Sequence, residues 1–326
     1  MGAGSFLLGA SGERKDRISA YGNRLLVLST PRGCDRMRKP IRAGRWLSTV
    51  LPIAAIFLVT TTPPPAFAQS AEQVVRKVVG NELYYSDHDH TCWMFRDSYQ
   101  SPTKNQVKLV IQTPQGNLSE IIEDDGRPPS AQEHRADLNR MQQVVNNPSM
   151  RAQQRRNEQH DDQQASNLLK ILPDAFVWRI DSRADGKIRL SYHPNSNFSP
   201  PSMSARVLAE MSGTMTVDED QMRLADLFGR LTQPVEFGWG LLGHIDAGGT
   251  FQVTRSEIAP YEWQITQTYV HISGHALFFK NIGDQEDEVT SDYHRVPDGV
   301  DLAQAEEMLR DGEVARELGI STDLPQ

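Results

Sequence analysis

Over its last half the chain alternates apolar and polar residues with a period of two, and turn residues break the alternation at short, even intervals. Ile188, Leu190 and Tyr192 alternate with Lys187, Arg189 and Ser191, behind a turn at Ala184-Asp185-Gly186. Met211, Gly213, Met215 and Val217 repeat the pattern up to Glu219-Asp220. Successive side chains of a strand point to opposite faces, so this period specifies strands buried on one side. Further strand-like runs fall at 224–231, 235–237, 250–258, 263–272, 276–279 and about 289–294. Pro234, Gly248-Gly249, Pro260, Gly274 and Gly283 separate them. Short strands so spaced predict an antiparallel meander, folded as a sandwich or a curved barrel.

Upstream the pattern is mixed. Val74, Val75, Val78 and Val79 have the i, i+1, i+4, i+5 spacing of a helix face within 69–79. Runs at 107–111 and 118–122 flank Thr113-Pro114-Gln115-Gly116 and read as a hairpin. Ser130 and Glu133 have the spacing of a capping box, which opens a helix with Leu138, Met141, Val144 and Val145 as its apolar stripe. Asn147-Pro148 interrupts it, and a second helix is expected from Ser149 to Leu172, stopping before Pro173. Its middle, 151–164, is almost wholly polar. A helix polar all round reads as a solvated arm, with a partner-binding arm as the functional alternative. A final helix is expected over 302–318. The fold class is thus α+β, mainly antiparallel β, with a long polar helical insertion at about 130–172.

The N-terminal part carries an address. From Met37 a basic stretch (Arg38, Lys39, Arg42, Arg45) precedes a mostly apolar run of fourteen residues at 46–59, and Ala66-Phe67-Ala68 precedes Gln69. These are the three parts of a secretory signal peptide, with cleavage near Ala68-Gln69. A spanning helix needs about 20 apolar residues, which weighs against a permanent anchor. Residues 1–36 read as a start-site overcall or a disordered tail, 37–68 as the signal peptide, and 69–326 as one β-rich domain. A periplasmic location follows for the mature part.

Residues 1–68 hold ten Lys/Arg and three Asp/Glu, so the remainder keeps 24 basic and 39 acidic residues, a formal charge of −15. Such a polyanion repels phosphate backbones and anionic headgroups, which excludes basic-patch binding of nucleic acid. Cys34 lies in the leader, so Cys92 is read as a lone thiol and the fold as standing on packing rather than on bridges.

Two sets of residues resemble known proteins. The passage Gly213-Thr214-Met215-Thr216-Val217-Asp218, followed by Met222-Arg223-Leu224-Ala225, is similar to a strand-turn-strand passage of periplasmic lipoprotein-sorting proteins, the LolA/LolB-like superfamily. His90-Thr91-Cys92-Trp93-Met94-Phe95-Arg96-Asp97, Leu172-Pro173-Asp174-Ala175-Phe176, Gly240-Leu241-Leu242-Gly243-His244 and Ala276-Leu277-Phe278-Phe279-Lys280 resemble a group of exported bacterial proteins labelled outer-membrane lipoprotein-sorting-like. The resemblance implies a curved, open β-barrel, a half-barrel with plugging helices. It also implies an apolar lining that shields an acyl chain from water. The polar insertion at 130–172 departs from that pattern.

Several side-chain groups invite chemistry. Asp87, His88, Asp89, His90 and Cys92 are all metal-ligand types within six residues, but alternation on a strand separates them, and a polar strand entry is the reading adopted. The Gly-rich stretch from Gly238 to Gly249 has neither the spacing nor the βαβ setting of a phosphate loop. Its Trp239, Leu241 and Leu242 are read as an apolar lip. His271, His275 and His294 stand alone on strand-like runs, and no Gly-x-Ser-x-Gly elbow occurs. Met203, Met211, Met215 and Met222 suit an adaptable apolar interior. The cavity-lining residues expected from alternation are Leu109, Ile111, Leu190, Met215, Phe251, Ile265 and Phe278, with Trp239, Leu241 and Leu242 at the mouth. The expectation is a non-enzymatic periplasmic protein with no cofactor or catalytic residue. It binds lipid or an acylated protein, with transient membrane contact and a protein partner for the 130–172 arm. An interaction or stress-sensing module of the same fold is the alternative, and a metal-dependent hydrolase through 87–92 comes third.

Overall fold

A computed structural model describes residues 69–237, 243–276 and 279–320. It is an α+β structure built on one large antiparallel sheet of twelve strands that is not closed. In chain order the strands are β1 (Trp93–Ser101), β2 (Lys104–Thr113), β3 (Gly116–Asp124), β4 (Phe176–Ala184), β5 (Lys187–Pro194), β6 (Met211–Asp218), β7 (Arg223–Leu231), β8 (Val235–Phe237), β9 (Gly243–Ile245), β10 (Thr250–Ala259), β11 (Glu262–Ala276) and β12 (Phe279–Arg295). Their spatial order is β3-β2-β1-β12-β11-β10-β7-β6-β5-β4, with β8 on β9 and β9 on β11. The helices are α1 (Ala71–His88), α2 (Ala131–Asn146), α3 (Pro148–Ala175), α4 (Met203–Ala209), α5 (Leu302–Arg310) and α6 (Glu313–Glu317). No helix among the described residues is long and apolar enough to cross a membrane.

The sheet buries one face along one half and the opposite face along the other. Directly paired residues of antiparallel strands share a face. Phe251 pairs with Val270, and Val270 with Glu286. Two residues along β12, Glu288 pairs with Tyr99, which pairs with Gln106. Leu109 and Ile111 lie an odd number of positions from Gln106 and therefore point to the other side. On the Phe251 side, one apolar cluster joins Ile188, Leu190, Met215, Leu227 and Val253 to α1, α4 and the C-terminal turns of α3. On the Leu109 side, a second cluster joins Met94, Ile111 and Leu118 to α2, α5 and α6.

Local signals explain most element boundaries. The capping box of α2 forms, with Glu133 N–H donating to Ser130 Oγ (3.3 Å) and Ser130 N–H to Glu133 Oε2 (2.7 Å). α1 continues past Gly80 to His88, beyond the expected end, because Glu82 still lies on its buried face. α3 likewise runs through Pro173 to Ala175. The expected C-terminal helix is two helices, since Gly312 sits at φ 68, a left-handed value that suits glycine and ends α5. α4 had no clear sequence signal beyond its cap, where Ala205 N–H donates to Ser202 Oγ at 3.1 Å.

Candidate functional site

The feature that distinguishes α1 is a carboxylate in its apolar stripe. Val74, Val75, Val78 and Val79 are each at most 5% exposed, and Glu82 continues the same face at 3%. A charge so placed costs several kcal/mol unless it is paired and hydrogen-bonded. Arg223, at the start of β7, meets it with Nε at 2.9 Å and Nη2 at 3.2 Å. The Leu224 N–H donates to it at 2.8 Å, and Arg255 Nη1 of β10 lies 2.7 Å from its second oxygen. Burial pushes the Glu82 carboxyl up, but Arg255 and Arg223 outweigh that and hold it below the usual carboxylate range. Burial lowers the Arg255 guanidinium, and Glu82 opposes the shift.

Aromatic rings close the group. The Arg223 guanidinium carbon sits 4.1 Å from the Tyr85 ring centre and 5.9 Å from that of Trp263. Arg255 Nη2 also donates to the Trp263 carbonyl at 2.9 Å. Beside these groups is a cavity of about 40 Å³, bounded by Glu82, Asp89, Ser166, Arg223, Arg255 and Trp263 among others. A water needs roughly 10–15 Å³ of such space, so the cavity suits a few waters and is far too small for an acyl chain. Close to this group, burial and the neighbouring Asp89 push the Glu262 carboxyl up to about 7.

The expected cavity residues divide between the two faces. Leu190, Met215 and Phe251 are completely buried in the first cluster, and Ile265 packs against it. Leu109 and Ile111 are equally buried, but in the second cluster. The single apolar wall expected from alternation is therefore two walls facing opposite ways. Trp239, Leu241, Leu242 and Phe278 lie outside the described residues, as do residues 1–68, which the sequence reading takes as leader and signal peptide. Of the methionines, Met211, Met215 and Met222 join the first cluster, while Met203 is 53% exposed.

The 87–92 cluster does not assemble into a ligand set. Asp87 and His88 end a helix rather than enter a strand. His88 Nδ1 bonds the Tyr84 carbonyl at 2.8 Å, and its ring stacks on Tyr84 at 4.1 Å. Asp89 caps the turn by accepting the Thr91 N–H at 2.9 Å. Cys92 is disulfide-bonded, which corrects the reading of a lone thiol and removes a thiolate ligand. Among the described residues no group of three or more His, Cys, Asp or Glu is placed to hold a metal ion. His271 meets the Tyr269 hydroxyl at 2.6 Å and lies 3.9 Å from Asp287.

The helical insertion is docked at both ends. α2 lies on β3, and Leu168, Leu169 and Leu172 of α3 enter the first cluster. Between them Gln153, Arg155, Arg156, Gln159, His160 and Gln163 are exposed. Comparison with protein-family models, with curated proteins and with solved structures yields no match.

Sequence reasoning passed over Glu82, Arg223 and Arg255. The signal was present in Glu82, which falls four residues after Val78 on the valine stripe. A carboxylate in that position calls for a buried cation from elsewhere in the chain.

Proposed function

We propose that this chain is an exported, non-enzymatic envelope protein that holds a hydrophobic ligand, a lipid or the acyl chain of a lipidated protein. The ligand lies against the β4–β7 and β10 half of the sheet. The observation that carries the reading is the cover of that half: a helix, α1, lies against β4 and β7 and puts four valines into the apolar cluster that holds Leu190, Met215 and Phe251. A helix laid on a sheet can leave without unpairing a strand. In the curved, open-barrel arrangement that the resemblance implies, α1 is the plug and the ligand takes its place.

Magnitudes favour exchange. A buried 16-carbon chain gains roughly 0.8 kcal/mol per methylene, or about 12 kcal/mol. Displacing four fully buried valines costs roughly 1.5–3 kcal/mol each, about 6–12 kcal/mol in all. The two are close to balance, which suits a carrier that must also release. Glu82 with its two arginines adds a polar fastening, so an empty protein stays closed.

The test is native mass spectrometry of the protein recovered from envelope extracts. Co-purified lipid at about one per chain supports the reading. A protein that is lipid-free after gentle extraction, and that fails to take up acyl chains on refolding with lipid, would sink it.

A further inference from the structure

Edge strand β3 is completed by side chains of α2. The Ile121 N–H, which has no neighbouring strand to meet, donates to Asp137 Oδ2 at 2.9 Å. Arg140 Nη2 donates to the Ser119 carbonyl, and its Nε holds Asp137 Oδ1 at 2.8 Å. An Asp-Arg pair on a helix thus takes the part of the missing strand.

Beneath this clasp lies a pair of titratable groups without hydrogen bonds. Glu120 pairs across the sheet with Leu109 and is 1% exposed. Both of its carboxyl oxygens lack a hydrogen-bond partner. His134 of α2 faces it, with Nδ1 3.7 Å from Glu120 Oε1, a side chain 13% exposed, and no hydrogen bond at that nitrogen. Asp137 adds negative charge from the same helix, and its own cation is Arg140. From α5, which also packs on β3, the buried residues are Leu302, Ala305, Met308 and Leu309, while Glu306 and Arg310 pair with each other. Arg127 and Glu133, at the start of α2, form an exposed pair of their own.

One proton satisfies this pair, either as carboxylic acid with imidazole or as carboxylate with imidazolium. With no proton, a bare carboxylate faces Asp137 among Leu109, Leu118 and Met141, where its desolvation is uncompensated. Nothing else on the described elements supplies a countercharge at hydrogen-bond distance.

We propose that the Glu120–His134 pair is a proton-controlled clasp: α2 stays on β3 while the pair keeps a proton, and loosens when it is lost, uncovering Ser119 C=O and Ile121 N–H. Burial, and then Asp137, push the Glu120 carboxyl up to about 7, which puts the change near neutral pH.

The Ile121 amide is the reporter, because its partner is on α2. Its hydrogen-exchange protection, corrected for intrinsic rate, is measured on the full chain between pH 5.5 and 8.5, beside the Leu190 amide of the other half. Protection of Ile121 is expected to fall by about tenfold or more above pH 7 while Leu190 holds, and the fall is expected to vanish in Glu120→Gln. Should that variant not fold, the carboxyl carbon of Glu120 is titrated by NMR in the unaltered protein, and its midpoint is expected to coincide with the loss of protection. Unchanged Ile121 protection, an equal fall in Glu120→Gln, or a Glu120 midpoint in the ordinary carboxylate range would each overturn the proposal.

Discussion

Glu82 and Arg223, 141 positions apart in the chain, meet as a bidentate pair with both side chains 2% exposed. The pair fastens α1 to β7, and Arg255 extends it to β10. Breaking such a pair from one side leaves buried charge without compensation, which costs about 3–5 kcal/mol. Glu82→Ala is expected to destabilise by that amount in urea titrations. Replacing all three charges together, with Glu82→Leu, Arg223→Met and Arg255→Met, is expected to recover most of the loss, since packed apolar groups replace buried ions at little cost.

Glu82 and Glu120 are expected to give opposite pH dependence. The Glu82 carboxyl is held below its ordinary value, so its contribution is present above about 4.5 and is lost as pH falls through the folded value. Glu120 is raised from 4.5 to about 7, so its contribution is full below about 4.5 and declines as pH rises to about 7. The Glu120 loss amounts to roughly 3 kcal/mol. At pH 8 Glu120→Gln should therefore be more stable than the unaltered chain, and at pH 4 it should not be. Urea midpoints across pH 3–8 for Glu82→Gln and Glu120→Gln, each against the unaltered chain, check both signs.

Gly213 and Gly229 are register partners on β6 and β7. They leave room for Tyr192, whose hydroxyl reaches over to the Phe228 carbonyl at 2.9 Å. A Cβ on Gly229 would lie 2.2 Å from Phe251 Cε1 and 2.7 Å from the Tyr192 hydroxyl. Gly229→Ala is expected to destabilise by about 1–3 kcal/mol through overpacking, measured as a lower urea midpoint with unchanged slope. Phe251→Leu in the same chain should restore part of it.

Asp137→Ala removes the acceptor that β3 uses at Ile121. The expected result is a loss of about 1–3 kcal/mol from the unsatisfied amide, with concentration-dependent association through the bared edge. Sedimentation velocity at two protein concentrations reads the association, which should be absent before the substitution.

Period two at Ile188, Leu190 and Tyr192 made the antiparallel sheet legible, and Ser130 with Glu133 marked the start of α2. The relation of Leu109 to Leu190 was not legible. Alternation gives the phase of each strand against itself, whereas the shared face depends on how 93–101 pairs with 279–295, a long-range register that no local pattern encodes. Glu82 was obscured because the valine spacing ends at Val79, although Glu82 keeps the stripe in phase beyond it. Of the arginines that meet Glu82, Arg223 opens β7 and Arg255 lies within β10, both as ordinary polar residues, and only the folded contact gives them a role.

The most direct test is hydrogen exchange along α1 while the full chain is titrated with a fluorescent 16-carbon fatty acid. Saturable, one-to-one binding is expected, with protection lost at the amides of residues 74–79 and kept in β5 and β6. No saturable binding, or binding that leaves α1 fully protected, would contradict it.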